Sequence, residues 1–136
     1  MKQFVNTFIS AVLAGFAIAI GGTVFLKVGG IVGAVLFSFG LLTVVHYGLA
    51  LFTGRAGYFE TWGGLATLLT AILAGNVLGC AMMASAVQFD VMDAAQKVVE
   101  GRLSDGYMRN YILAIPCGFI MTTAVEFGRR EKFLPL

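Results

Sequence analysis

The chain has 136 residues, 59% of them hydrophobic and only 12% charged, with a mean hydropathy of +0.91 and a formal net charge of +2. A water-soluble domain carries roughly 25% charged residues, so a lone soluble core is excluded. Residues 3–26, 28–54, 61–89 and 110–125 contain no Asp, Glu, Lys or Arg. About 20 apolar residues at ~1.5 Å rise cross a ~30 Å hydrocarbon core, so the expectation is an all-α membrane protein of four transmembrane helices.

Helix 1 is expected over about 4–26. Its start looks like a signal segment, with Lys2 before an apolar run and then Gly21 and Gly22. The run continues through Leu26, too long for a signal h-region, so it reads as a retained span. The short turn Lys27-Val28-Gly29-Gly30 sets helix 2 antiparallel to helix 1. Helix 2 is expected over about 31–53 and interrupted near residues 51–57, where Gly54 and Gly57 weaken helical structure.

Helix 3 is expected over about 62–87, with Tyr58 and Trp62 in an interfacial aromatic belt. Gly75-Asn76-Val77-Leu78-Gly79 is a GxxxG whose small residues let another helix approach, and Asn76 inside it reads as interhelical glue. The polar connection 88–108 suggests a short amphipathic helix of about 90–101 on the membrane surface, capped by Asp90 and ended by Gly101. Helix 4 is expected over about 110–127. The whole of 1–136 reads as a single membrane domain.

Four spans return the C-terminus to the side of the N-terminus. That side carries Lys2, Arg55, Arg129, Arg130 and Lys132, against Lys27, Lys97, Arg102 and Arg109 on the other. Five against four is almost no bias for the positive-inside rule to act on, which permits dual topology. The rival reading is that Arg129, Arg130 and Lys132 alone fix the C-terminus inside. Cys80 and Cys117 read as small packing residues rather than a disulfide or metal pair. A faint repeat aligns Phe8–Phe16 with Tyr111–Phe119, four of nine positions identical at an offset of 103. Such repeats often mark inverted halves around a midplane site, though apolar Ala-rich segments also match by chance.

Several motifs together resemble the formate/nitrite transporter family. The family's Gly-x-acid-Leu-Phe-Thr segment in the second helix reads here Gly48-Leu49-Ala50-Leu51-Phe52-Thr53-Gly54. Phe37-Ser38-Phe39-Gly40-Leu41 precedes it; Thr61-Trp62-Gly63-Gly64-Leu65, Gly75–Gly79 and Leu113–Phe119 follow in the family's order. The resemblance implies the first four helices, roughly, of a six-helix aquaporin-like inverted-repeat fold, and hence a half-length relative. It implies a channel for small monovalent anions such as formate, nitrite or hydrosulfide, in a bacterial-type inner membrane. By the same resemblance Phe37 and Leu41 match an apolar constriction, Leu51, Phe52 and Thr53 the loop at the pore centre, and Arg102 a vestibule cation. The family's acid before Leu-Phe-Thr is Ala50 here, its fourth-helix Asn is Gly118, and its central histidine is not matched.

An unpartnered anion faces a Born cost of order 20 kcal/mol on entering hydrocarbon. Arg102 would attract it, amides at the helix break near Thr53 and Gly54 would donate to it, and apolar rings would favour its protonated form at the constriction. His46, nine residues after Phe37, lies about 180° round the helix from it and reads as a packing or interhelical hydrogen-bonding residue. A copy of the same chain is the expected partner, beside the lipid bilayer, in antiparallel dimers or a pentamer-based homo-oligomer that completes the pore. The alternative is a non-conducting protein that binds or modulates a partner channel. Enzymatic chemistry, cofactors, metals and nucleic acid are not expected, because no paired carboxylates, metal cluster or nucleophile–base arrangement appears.

Overall fold

The computed structural model describes residues 2–56 and 62–129. Its elements are all helical: α1 (Lys2–Val28), α2 (Gly30–His46), α3 (Phe52–Arg55), α4 (Trp62–Ser104) and α5 (Tyr107–Arg129). Three stretches are long and apolar enough to cross a membrane, Phe4–Val28, Thr67–Val87 and Tyr107–Gly128, and α2 is a shorter apolar helix of 17 residues. The lengths of α1 and α5 follow the expected ones to within two or three residues at each end. Tyr58, expected in an aromatic belt, lies outside the described residues.

α1 lies between α2 and α4 and makes most of the tertiary contact. Its register against each neighbour follows from small residues. A Cβ on Gly40 would sit 2.7 Å from the Ala17 carbonyl oxygen, and one on Gly33 would sit 3.3 Å from that of Phe25, so α2 runs antiparallel to α1. Along α4, a Cβ on Gly75 would meet the Ala11 side chain at 2.7 Å, and one on Gly79 would fall on the Val12 carbonyl. Higher numbers on α4 meet higher numbers on α1, so these two helices run parallel. Gly75 and Gly79 therefore pack α4 against α1 within the chain, where dispersion between closely approaching backbones holds helices together in lipid. Cys80 joins the seam, its thiol donating to the Gly15 carbonyl at 3.3 Å, and both cysteines are free.

Helix 2 ends earlier than its composition suggests. Among the described residues the break covers 47–51, and 52–55 form the single turn of α3, while Gly57 lies outside the described residues. Gly48 takes a left-handed φ of 61°, and the amides of Gly48 and Leu49 donate to the carbonyls of Val45 and Val44 at 3.2 and 2.9 Å. That is a Schellman stop, in which a glycine just past the helix tolerates the φ that other residues resist. Gly54, expected to break the helix, instead sits inside the single turn of α3, where Val125 of α5 is 3.1 Å from its Cβ position.

The connection after helix 3 also differs. The backbone is helical from Trp62 through Asp90 and Gly101 to Ser104, so 90–101 is the continuation of α4 rather than a separate capped helix. Neither one Asp nor one Gly suffices to interrupt a helix whose neighbours favour it. The stop comes at Gly106, with φ 77°. The 43 residues of α4 extend about 64 Å at ~1.5 Å per residue, twice a bilayer core.

α5 is joined to the rest through α2 and α3. Tyr107, Tyr111, Ile115 and Phe119, each four residues from the next, are between 71% and 89% exposed. A row of large apolar side chains this open to the outside suits lipid rather than water.

Candidate functional site at the helix break

Five backbone amides from Gly48 to Phe52 have left the regular helix, and buried backbone polar groups need partners. Each has one. Gly48 and Leu49 use the end of α2, and the Leu51 amide donates to the Leu49 carbonyl at 3.0 Å. The Ala50 amide donates to Ser10 Oγ on α1 at 3.0 Å. The Phe52 amide donates to Asn76 Oδ1 on α4 at 2.9 Å.

Asn76 is the hub. Its Nδ2 donates to the carbonyls of Ala11 at 2.8 Å and Ala50 at 2.9 Å, while Oδ1 accepts from Phe52. With 8% of its surface exposed, it is the buried polar residue of the core. Nδ2 facing two carbonyls and Oδ1 facing an N–H fix which way the amide points. A Cβ on Gly15 would collide with the Asn76 backbone, so glycine there is what lets α4 bring Asn76 up to α1. Around the hub, Ala11, Ala50 and Ile72 form one buried cluster with Phe52 and Leu68 packed on it. Ala14, Val44 and Leu51 form another, with Leu41 and Leu49 against it.

The residues expected to line a path fall into three places. Phe37 and Leu41 lie on the α2 face that meets α1, Phe37 over Gly21 and Leu41 on the Ala14 cluster. Leu51 is buried and Phe52 half-buried in the break, and Thr53 is exposed beside them. Arg102 is elsewhere: exposed in the last turn of α4, 26 residues beyond Asn76, or about 39 Å along the helix at ~1.5 Å per residue. Its carbonyl accepts from Asn110 Nδ2 at 2.7 Å. The expected supply of free amides is also smaller than the motif suggests, since Gly54 donates to the Leu51 carbonyl at 3.1 Å and Phe52 is engaged by Asn76. His46 closes α2 on an exposed surface, its ring edge-on to Tyr47 at 5.1 Å, where a packing or interhelical hydrogen-bonding role was expected.

A small cleft of about 50 Å³, open at its mouth, lies against the break; Gly48, Leu51, Gly54, Arg55 and Val125 contribute to its lining. Ser10, Arg55 and Val125 were not legible as site residues. Ser10 is one polar residue in a helix of apolar ones, Arg55 reads as a loop cation, and nothing local ties Val125 to residues 70 positions earlier.

The model of the formate/nitrite transporter family matches residues 1–132. The chain belongs to the formate/nitrite transporter family. No curated protein and no solved structure matches it. As a member of this family it is an integral membrane protein of a transporter class rather than an enzyme, and its long apolar helices imply contact with lipid. Within this formate/nitrite transporter domain, the segment Gly48–Gly54 coincides with the break in the second helix, and Asn76 is the side chain that holds the break together.

Proposed function

We propose that the protein forms a conduit for small monovalent anions of the formate, nitrite or hydrosulfide type, completed by association of copies of the chain. The observation that carries this reading is a helix break at membrane depth whose amides from Gly48 to Phe52 all have partners. Ala11 lies seven residues into Phe4–Val28 and Asn76 nine residues into Thr67–Val87, so the break sits about 10–14 Å below the face where both spans begin. Irregular backbone at that depth is tolerated only where protein buries it or where it lines a water-filled cavity. Here one side is buried by α1 and α4 and the other opens into the cleft.

In this reading α2 and α3 together make the fourth crossing, and the Phe8–Phe16 and Tyr111–Phe119 match marks segments of an inverted-repeat arrangement. Phe37, Leu41, Leu51, Phe52 and Thr53 belong to the path and its supports, and the even distribution of Lys and Arg suits copies inserted in both orientations. The test is uptake of formate, nitrite and hydrosulfide into proteoliposomes, together with crosslinking of protomers in nanodiscs. Uptake that falls on Phe37→Trp or Thr53→Val supports the conduit. Parallel protomers with no continuous lumen would remove it.

The position of Arg102 favours a second reading. With its cation about 39 Å along α4 from the hub and the amides of Phe52 and Gly54 already engaged, a non-conducting protein that modulates a longer relative fits the same fold. Absence of uptake for all three anions selects it.

A further inference from the structure

We propose that residues 93–111, the end of α4 and the start of α5, form an arm outside the hydrocarbon core that docks against the same arm of a second copy inserted in the same orientation. This names the contact between copies that the conduit reading leaves open, and it holds whether or not an ion is carried.

The register of α4 on α1 places the arm. Gly75 lies on Ala11, an offset of 64 residues, and Gly79 falls between Val12 and Phe16, which keeps it. Carried to Val28, the last residue of α1, that offset falls on Met92. Val91 is accordingly still buried, with 9% exposed, whereas Val98, Val99 and Leu103 are open, Leu103 to 74%. The lipid-suited part of α4 ends at Val87, and Ser104 lies 17 residues further, or about 25 Å at ~1.5 Å per residue.

α5 gives the same answer from its other end. Val125 lies against Gly54 and Gly128 against Val45, both at the helix break. From that depth roughly 16–20 Å of a ~30 Å core remain, which about 11–13 helical residues cross. Counted back from Val125, the core ends near residue 113, and Tyr107, Met108 and Tyr111 stand past it. All three are exposed, although Tyr107–Gly128 is apolar enough to span. Lipid tails do not reach these side chains. Nor does the rest of the chain, because α5 meets α2 and α3 through its C-terminal half. The arm is instead closed on itself at the turn, where Asn110 Nδ2 donates to the Arg102 carbonyl at 2.7 Å and Gly106 takes a φ of 77°.

An apolar face standing in water marks a protein contact, and tyrosine is enriched in such contacts. The charges select the partner. Residues 93–111 hold Asp93, Glu100 and Asp105 against Lys97, Arg102 and Arg109, three of each sign. Anionic headgroups are recognised by clusters of Lys and Arg, and strongly charged proteins by opposite net charge. A balanced arm offers neither. A helix resting on lipid would also need its axis in the membrane plane, and α4 runs unbroken from Trp62 through the core. An identical arm supplies each sign with its counterpart in a self-complementary contact. Two copies inserted the same way bring their arms to one height, where the shared membrane raises their effective concentration.

The experiment uses the full chain in liposomes, with Cys80→Ala and Cys117→Ala and one new cysteine. Leu103→Cys is expected to react with a membrane-impermeant maleimide about tenfold faster than Leu73→Cys, which is exposed at core depth. Equal rates overturn the arm. Oxidation is expected to link Tyr107→Cys into a dimer; labelling of Leu103→Cys without any such dimer overturns the second copy as partner. Adding Val99→Glu and Leu103→Glu should lower the linked fraction about tenfold with helical content unchanged by circular dichroism. A linked fraction that survives both substitutions overturns the proposal. Uptake of formate, nitrite and hydrosulfide is measured on the same vesicles. Linkage through the arm without uptake sustains the arm and removes the conduit, and uptake without linkage does the reverse.

Discussion

Asn76 on α4 donates to the Ala50 carbonyl at 2.9 Å, replacing inside the membrane the helical partner that Ala50 lost when the second helix stopped. The same side chain accepts from Phe52, where helical structure resumes, and donates to Ala11 on the central helix. One amide thus spans the gap from both ends and ties it to α1. In water the three groups would find solvent. In lipid they would not, so Asn76, together with Ser10 and the Schellman stop at Gly48, is what allows the helix to break here.

Asn76→Ala orphans the Ala50 carbonyl and the Phe52 N–H at once, while the Ala11 carbonyl keeps its helical donor in α1. An orphaned buried group costs about 1–3 kcal/mol, and intramembrane hydrogen bonds average ~0.6 kcal/mol, so a loss of about 2–4 kcal/mol is expected. Asn76→Asp keeps the acceptor for Phe52 but faces two carbonyls with no donor, and should be no better than Ala. Thermal unfolding in detergent, followed by circular dichroism, measures both. An Asp variant as stable as wild type would contradict the hub.

Gly79→Ala places its Cβ on the Val12 carbonyl and 2.7 Å from the Phe16 amide, and backbone does not yield as a side chain does. A cost of at least about 2 kcal/mol is expected, as for other overpacked sites. Gly22 is the matched control, since nothing lies within 4 Å of its Cβ position. Gly22→Ala should be neutral or stabilising by up to about 1 kcal/mol. Equal effects of the two substitutions would refute the parallel packing of α1 and α4.

Gly48→Ala forces a side chain into a left-handed φ of 61° at the Schellman stop. About 1 kcal/mol is expected, with Gly48→Asn costing less because asparagine visits that region more readily. An Ala variant that matches wild type in a denaturation series would mean that helix 2 does not stop here.

Spin labels at residues 82 and 98, in a chain with Cys80 and Cys117 replaced, lie 16 residues apart on α4. A continuous helix separates their Cα atoms by about 24 Å at ~1.5 Å per residue. A single narrow distance distribution near that value is expected from pulsed dipolar spectroscopy. A short or broad distribution would restore the separate surface helix that Asp90 and Gly101 suggest.

The sequence by itself determined the solvent and the outline. Stretches without a charged residue must sit in lipid because hydrocarbon penalises ions, and their lengths set α1 and α5 within a few residues. The order of short motifs around Gly48–Gly54, Gly75–Gly79 and Leu113–Phe119 led to the family. The position of the break was not legible, because Gly48, Gly54 and Gly57 look alike in one dimension. What separates Gly48 from Gly54 is that the first needs a positive φ and the second needs room for Val125. Only the tertiary structure decided who satisfies the broken backbone. Ser10 and Asn76 meet the break from two helices far from it in the chain, and their hydrogen bonds to it are a matter of distance in space, which composition and spacing do not encode.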